Sequence, residues 1–206
     1  MECVSSALSG TAFLLGDPQD VLITAGHVAD NLDVARTVVA FATDDGWVTW
    51  GLRNRIRHHS EDLAALVLEP GHERTSPLFI GSSDVRASAR YRVWGYPVDV
   101  MHEVVRNDVA LARPDLVYSE GHVRRRISNI GLGHLQGTAF YELSAVAGRG
   151  CSGAPVTVDR AGVSPWEVIG VYLGDRRNET EGLAVGYASR AEHLQDLLSS
   201  LTAAPG

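Results

Sequence analysis

The 206-residue sequence predicts an all-β fold closed by one C-terminal helix. Three observations point there. The apolar runs are short, about four to six residues each, which is strand length and too short for independent helices. Gly, Pro and Asp punctuate them at close spacing, as in β-barrels or sandwiches. Only the last segment carries leucines at helical period.

The runs follow in order. Ala12–Leu15 ends at Gly16-Asp17-Pro18, a turn signal. Val21–Ala25 is closed by Gly26-His27, and Thr37–Ala42 is rich in β-branched residues and stops at Asp44-Asp45-Gly46. Trp47–Trp50 and Leu63–Leu68 complete a first set, which Pro70-Gly71 ends. Residues 71 to 90 are less periodic, hold Pro77, Gly81 and Ser82-Ser83-Asp84, and read as the link between two halves. Tyr91–Trp94, Val104, Val109–Ala112, Leu116–Tyr118, Thr138–Leu143, Pro155–Val158, Val168–Leu173 and Leu183–Ala188 form the second set. No helical stretch is expected before residue 189. There Ser189-Arg190-Ala191-Glu192 fits a capping box, and Leu194, Leu197, Leu198 and Leu201 share one helical face. The expected divisions are 1–80, 86–188 and a helix over 189–201.

Composition narrows the function. Hydrophobic residues make up 45 % and charged residues 21 %, the proportions of a globular chain able to bury a core. A net charge of −7 argues against a nucleic-acid partner. No apolar run approaches a membrane span, so no membrane partner is expected. Cys3 and Cys151 give no disulfide framework, and the N-terminus lacks a basic region before an apolar one; both predict a cytoplasmic protein.

Chemistry concentrates in three places. Arg149-Gly150-Cys151-Ser152-Gly153-Ala154-Pro155-Val156 cannot be a helix interior, where Gly and Pro are costly. It reads as a bare turn that can aim backbone N–H groups beside a hydroxyl. Thr24-Ala25-Gly26-His27-Val28 sets an imidazole, the usual general base near neutral pH, at a strand end. Glu61-Asp62-Leu63-Ala64-Ala65-Leu66 sets a carboxylate at the lip of a buried strand, where it can accept a bond from a His Nδ1–H. Each alone is as easily a cap or a loop.

Together, His27, Asp62 and Ser152 in that chain order, each in its local context, resemble the chymotrypsin/trypsin-like serine peptidases of the short, disulfide-free bacterial kind. The resemblance covers about residues 8 to 201. It implies two six-stranded antiparallel β-barrels plus a C-terminal α-helix, the first barrel carrying His27 and Asp62 and the second Ser152. It implies a serine endopeptidase acting on protein or peptide substrates through that triad, with the N–H groups of Gly150 and Ser152 as oxyanion hole. Tyr172-Leu173-Gly174 resembles the strand that pairs with substrate and walls the primary pocket. Val146 falls where the family has the pocket base, and Gly186 where it has the opposite wall. Relatives found beside or fused to defence and signalling modules imply a regulated role with a partner or fused domain.

The departures are informative. Cys151 stands where the family usually has Asp before the nucleophile, which argues against activation by a newly cut N-terminus. Some relatives use Cys as nucleophile, but the register Gly150-Cys151-Ser152-Gly153 puts Ser in the reactive slot. Val146 is apolar, and with Leu173, Gly174 and Gly186 it predicts a slot for a medium or large apolar residue. Asp175, Glu179 and Glu181, read as a solvated loop, offer a basic residue as second choice. Arg124-Arg125-Arg126 also reads as a solvated loop. The histidines show no metal-ligand spacing, so neither metal nor cofactor is expected. The competing functions are a catalytically silent peptide-binding module and an esterase on the same triad.

Overall fold

The computed structural model describes residues 10–17, 20–43, 46–71, 74–81, 85–106, 109–159, 162, 164–178 and 183–203. Cys3, Glu179 and Glu181 lie outside them. The first half contains β1 (Ala12–Leu14), β2 (Val21–Ala25), α1 (Gly26–Asp30), β3 (Val38–Thr43), β4 (Gly46–Arg57) and β5 (Leu63–Leu68). Its strands pair antiparallel in the order β1-β2-β5-β4-β3, an open half-barrel among the described residues. Sequence runs without polar alternation in β2 and β5 have a simple cause: both faces are buried. Ile23, Leu63 and Ala65 face one apolar cluster, and Leu22, Ala64, Leu66 and Leu68 face another. Each fully buried leucine there is worth roughly 1.5–3 kcal/mol.

The second half contains β6 (Phe79–Ile80), β7 (Arg90–Gly95), β8 (Met101–Arg106), β9 (Val109–Pro114), β10 (Val117–Ile127), β11 (Phe140–Leu143), β12 (Pro155–Asp159), β13 (Glu167–Asn178) and β14 (Leu183–Arg190). Six of these close a barrel in the order β12-β7-β10-β11-β14-β13, with β13 returning to β12. β6 adds in parallel to β13, and β8–β9 stand apart as a hairpin. The chain then ends in α2 (Glu192–Ala203). Leu194 and Leu197 of α2 bury against Phe13, Ile23 and Leu63 from the first half and Val168 and Val171 from the second. The helix therefore seals the seam between the two units, as its leucine stripe implies.

Three expectations need correction. The chain does turn helical before residue 189, but α1 is only five residues, too short to leave a periodic signal. Arg124–Arg126 lie in β10, not in a loop. Arg124 and Arg125 pair with the buried Glu142 at 3.5 and 2.8 Å, and Arg126 pairs with Glu192 at 3.4 Å. The capping box does not form: Ser189 belongs to β14 with its Oγ buried and unbonded, and Glu192 is engaged by Arg190 and Arg126.

Candidate active site

β2 delivers the chain to the interface between the units, and Gly26 opens α1 with its N–H on the Asp62 carbonyl oxygen at 3.0 Å. The next residue, His27, uses both oxygens of the Asp62 side chain. Its backbone N–H donates to Oδ1 at 2.7 Å, and its Nδ1 lies 2.7 Å from Oδ2. An ionised carboxylate only accepts, so Nδ1 carries the proton and Nε2 presents a lone pair. The Asp62 side chain is 5 % exposed and that of His27 47 %, so a sealed acid orients an accessible base.

Burial alone would raise the pKa of Asp62. The hydrogen bonds from His27 and the charge of Arg57 outweigh it and hold the carboxyl below its ordinary range. Arg57 reaches Asp62 Oδ1 at 3.4 Å, Asp30 at 3.2 Å, the Leu63 carbonyl at 3.1 Å and, across the interface, Gln136 Oε1 at 2.6 Å. Only glycine at position 26 leaves room for it, since a Cβ there would stand 1.0 Å from Arg57 Nη1.

The Ser152 turn is built on left-handed glycines: Gly148, Gly150 and Gly153 each have φ of +93°. Gly153 donates to the Tyr172 carbonyl at 2.7 Å and lies against Thr11 and β2, where a Cβ would meet Thr11 O at 2.0 Å and Thr24 Oγ1 at 2.2 Å. Thr11 clasps the turn from the other unit. Its N–H donates to Ser152 O at 2.9 Å and its Oγ1 to Gly150 O at 2.8 Å, while Oγ1 accepts the Tyr96 N–H at 3.0 Å. With their carbonyls so held, the N–H groups of Gly150 and Ser152 make no hydrogen bond among the described residues. Ser152 Oγ donates to the Leu173 carbonyl at 2.9 Å, and no hydrogen bond joins it to His27. Cys151 points inward. Its thiol donates to Ala147 O at 3.0 Å, and burial first, then Asp99, pushes its pKa up to about 12.

Around the turn, Val146 is half-buried, and Leu173 is buried against Ala25 and Val28. Gly174, with φ of +149°, faces open space. Tyr172 is fully buried, its hydroxyl accepting the Ala147 N–H at 3.0 Å. A Cβ on Gly186 would stand 2.7 Å from Ala145 O and 3.0 Å from Tyr172 Cε2, so the carbonyl and the ring edge take the room that Gly186 leaves. Asp175 lies in β13 rather than in a loop and pairs with Arg177 at 2.8 Å.

The family model of the trypsin-like peptidase domain matches residues 10–171. The chain belongs to that family. Solved structures agree on the fold. The active form of the Rv3671c protease from M. tuberculosis is 20 % identical with a TM-score of 0.64, covering 92 % of this chain and 72 % of that one. The MamO protease domain from Magnetospirillum magneticum is 16 % identical with a TM-score of 0.64, covering 95 % and 90 %. The HtrA-type protease AlgW, solved with a decapeptide, is 19 % identical with a TM-score of 0.65, and the match spans 94 % of this chain and 51 % of that one. No curated protein matches the sequence.

This trypsin-like peptidase domain also gathers His58, His193 and Asp196, whose ligand atoms lie within 4.8 Å of one another. The chemistry does not fit a metal. His58 Nδ1 accepts the N–H groups of Ser60 at 3.2 Å and Glu61 at 3.0 Å, so Nε2 carries the proton and has no lone pair to give. Thr11 and Arg57 are the residues that sequence reasoning missed. For Arg57 the signal was Gly26, a glycine beside a base with no turn of its own to explain it.

Proposed function

We propose that this domain is a serine endopeptidase in which Ser152 is the nucleophile, His27 the base, Asp62 the orienting acid, and the N–H groups of Gly150 and Ser152 the oxyanion hole. The observation that carries this reading is the pair of hydrogen bonds that one buried carboxylate accepts from the backbone and ring of an exposed histidine. Burying Asp62 costs free energy, and what it secures is the orientation and tautomer of His27.

In the reaction, Ser152 Oγ turns from Leu173 and gives its proton to His27 Nε2 as it bonds to the substrate carbonyl carbon. The carbonyl oxygen becomes an anion between the two free N–H groups. The imidazolium then passes its proton to the departing amine as the C–N bond breaks. Water repeats the sequence on the acyl-enzyme, with Ser152 Oγ as leaving group. The alternative, a catalytically silent peptide-binding module, is favoured by one observation, the Ser152–Leu173 hydrogen bond that turns the hydroxyl away from its base.

A fluorophosphonate probe separates the two. Labelling that Ser152→Ala abolishes supports the peptidase; a folded protein that never labels overturns it. Peptide substrates, the decapeptide bound by AlgW being a neighbouring precedent, are the expected partners. A reducing, cytoplasmic setting and control by a partner complete the proposal, the first on the lack of a disulfide framework. No helix among the described residues is long and apolar enough to cross a membrane.

A further inference from the structure

The same turn carries information about what can lie over it. If Ser152 is the nucleophile, the substrate carbonyl sits at its Oγ with the oxygen toward the N–H groups of Gly150 and Ser152. The side chain of the residue contributing that carbonyl then descends between the Val146–Ala147 segment and Leu173–Gly174, toward Gly186. That descent is short. The Ala145 carbonyl oxygen and the Tyr172 ring edge occupy the room at Gly186, and the ring is fully buried.

Its position is fixed at both ends. The hydroxyl is held by the Ala147 N–H at 3.0 Å, and the backbone N–H and C=O of Tyr172 bond to Ala154 and Gly153 at 2.9 and 2.7 Å. A second phenol braces the same segment: the Tyr91 hydroxyl accepts the Ala145 N–H at 3.1 Å and donates to Ala145 O at 3.2 Å. Burial raises the pKa of both phenols, so neither ionises near neutral pH. Among the described residues, Asp175 is already paired with Arg177 and is not free to reward a long cation.

We infer that Tyr172 plugs the primary pocket, so that the domain cleaves after small residues, Gly, Ala or Ser. This rests on the peptidase reading above. It replaces the medium or large apolar residue that Val146, Leu173, Gly174 and Gly186 suggest in the sequence: Gly174 does face open space, but Gly186 is closed by the Ala145 carbonyl oxygen and the Tyr172 ring.

The test uses two probes on the intact chain. An alkyl fluorophosphonate has no side chain to place and reports Ser152 reactivity alone. A set of peptidyl diphenyl phosphonates carrying Gly, Ala, Val, Leu, Phe or Arg at the position before the phosphorus reads the pocket. The Ala reagent should label at least about tenfold faster than the Leu, Phe and Arg reagents. Tyr172→Ala should reverse that order toward Leu and Phe by a similar factor, whereas Tyr172→Phe, which keeps the ring, should not. A thermal midpoint shows whether each variant folds, and the wild-type profile decides the matter even if Tyr172→Ala does not. Leu, Phe or Arg labelling as fast as Ala in wild type overturns the plug and leaves the peptidase standing. Failure of every reagent, the fluorophosphonate included, overturns both.

Discussion

Ser152 Oγ rests 2.9 Å from the carbonyl oxygen of Leu173, the bulged residue of β13, while the His27 ring that should receive its proton is tied to Asp62. On the peptidase reading, this hydroxyl must leave the Leu173 carbonyl and turn to His27 before it can react. The inward thiol of Cys151 has no such option, being buried and bonded to Ala147. Ser152→Ala should therefore lower kcat on the order of 10⁶-fold with the thermal midpoint little changed. Cys151→Ala should keep most of the turnover while losing some stability. Peptide cleavage and melting of the two variants, measured side by side, check the assignment. Loss of activity in Cys151→Ala alone would refute it.

Asp62→Asn keeps the shape but offers an amide where His27 needs an acceptor. The ring can then carry its proton on Nε2, the wrong nitrogen. Turnover should fall by about 10⁴-fold, and the residual rate should recover at alkaline pH, where a stronger base can substitute. Steady-state kinetics from neutral to alkaline pH would show it.

Arg57 sets its guanidinium 3.4 Å from Asp62 Oδ1 and helps to hold that carboxyl below its ordinary range. In Arg57→Gln kcat/KM should fall by about threefold, because the carboxylate that orients His27 loses a charge that holds it ionised and in place. Gly26→Ala should act in the same direction, because its Cβ would occupy the guanidinium position. The double variant should then be little worse than either single one. Independent, additive losses would show that Arg57 only fills space.

His58 is buried with Nδ1 accepting from the loop that carries Asp62. Burial first, then His59 and His193, lowers its pKa, against the smaller opposing pull of Glu61 and Asp196. The unfolded chain takes up this proton near the ordinary imidazole value of about 6.5, and the folded chain resists. Unfolded protein thus binds more protons between the two values, and stability must fall as pH drops through that window, by at most about 1.4 kcal/mol per unit. His58→Asn keeps an acceptor for the loop but cannot titrate. Its unfolding free energy should be flatter than wild type below about pH 6.5, as urea titrations at several pH values would reveal.

The parts of this architecture legible in sequence are those set by contiguous residues. β2 and β5 show as unbroken apolar runs because they are buried on both faces, and α2 shows as a leucine stripe because one face seals the seam. What stayed hidden depends on residues brought together from afar. Arg57 reads as one more polar residue of a strand that also holds Arg53 and Arg55. Tyr172 reads as a pocket wall, because neither the bulge between Tyr172 and Gly174 nor the bond of its hydroxyl to the Ala147 N–H has a sequence signature. The Arg124–Arg126 run looks like a loop until Glu142 and Glu192 are seen to meet it.

The clasp of Thr11 on Gly150 spans 139 positions of sequence. A residue just before β1 therefore shapes a turn that the chain reaches only 139 positions later. A chain still being made, or one that has lost its first strand, has the hydroxyl without the frame that holds the two N–H groups ready. If Ser152 is the nucleophile, its reactivity is in this sense a certificate of completed folding, and cutting is restricted to molecules whose two halves have already closed on each other.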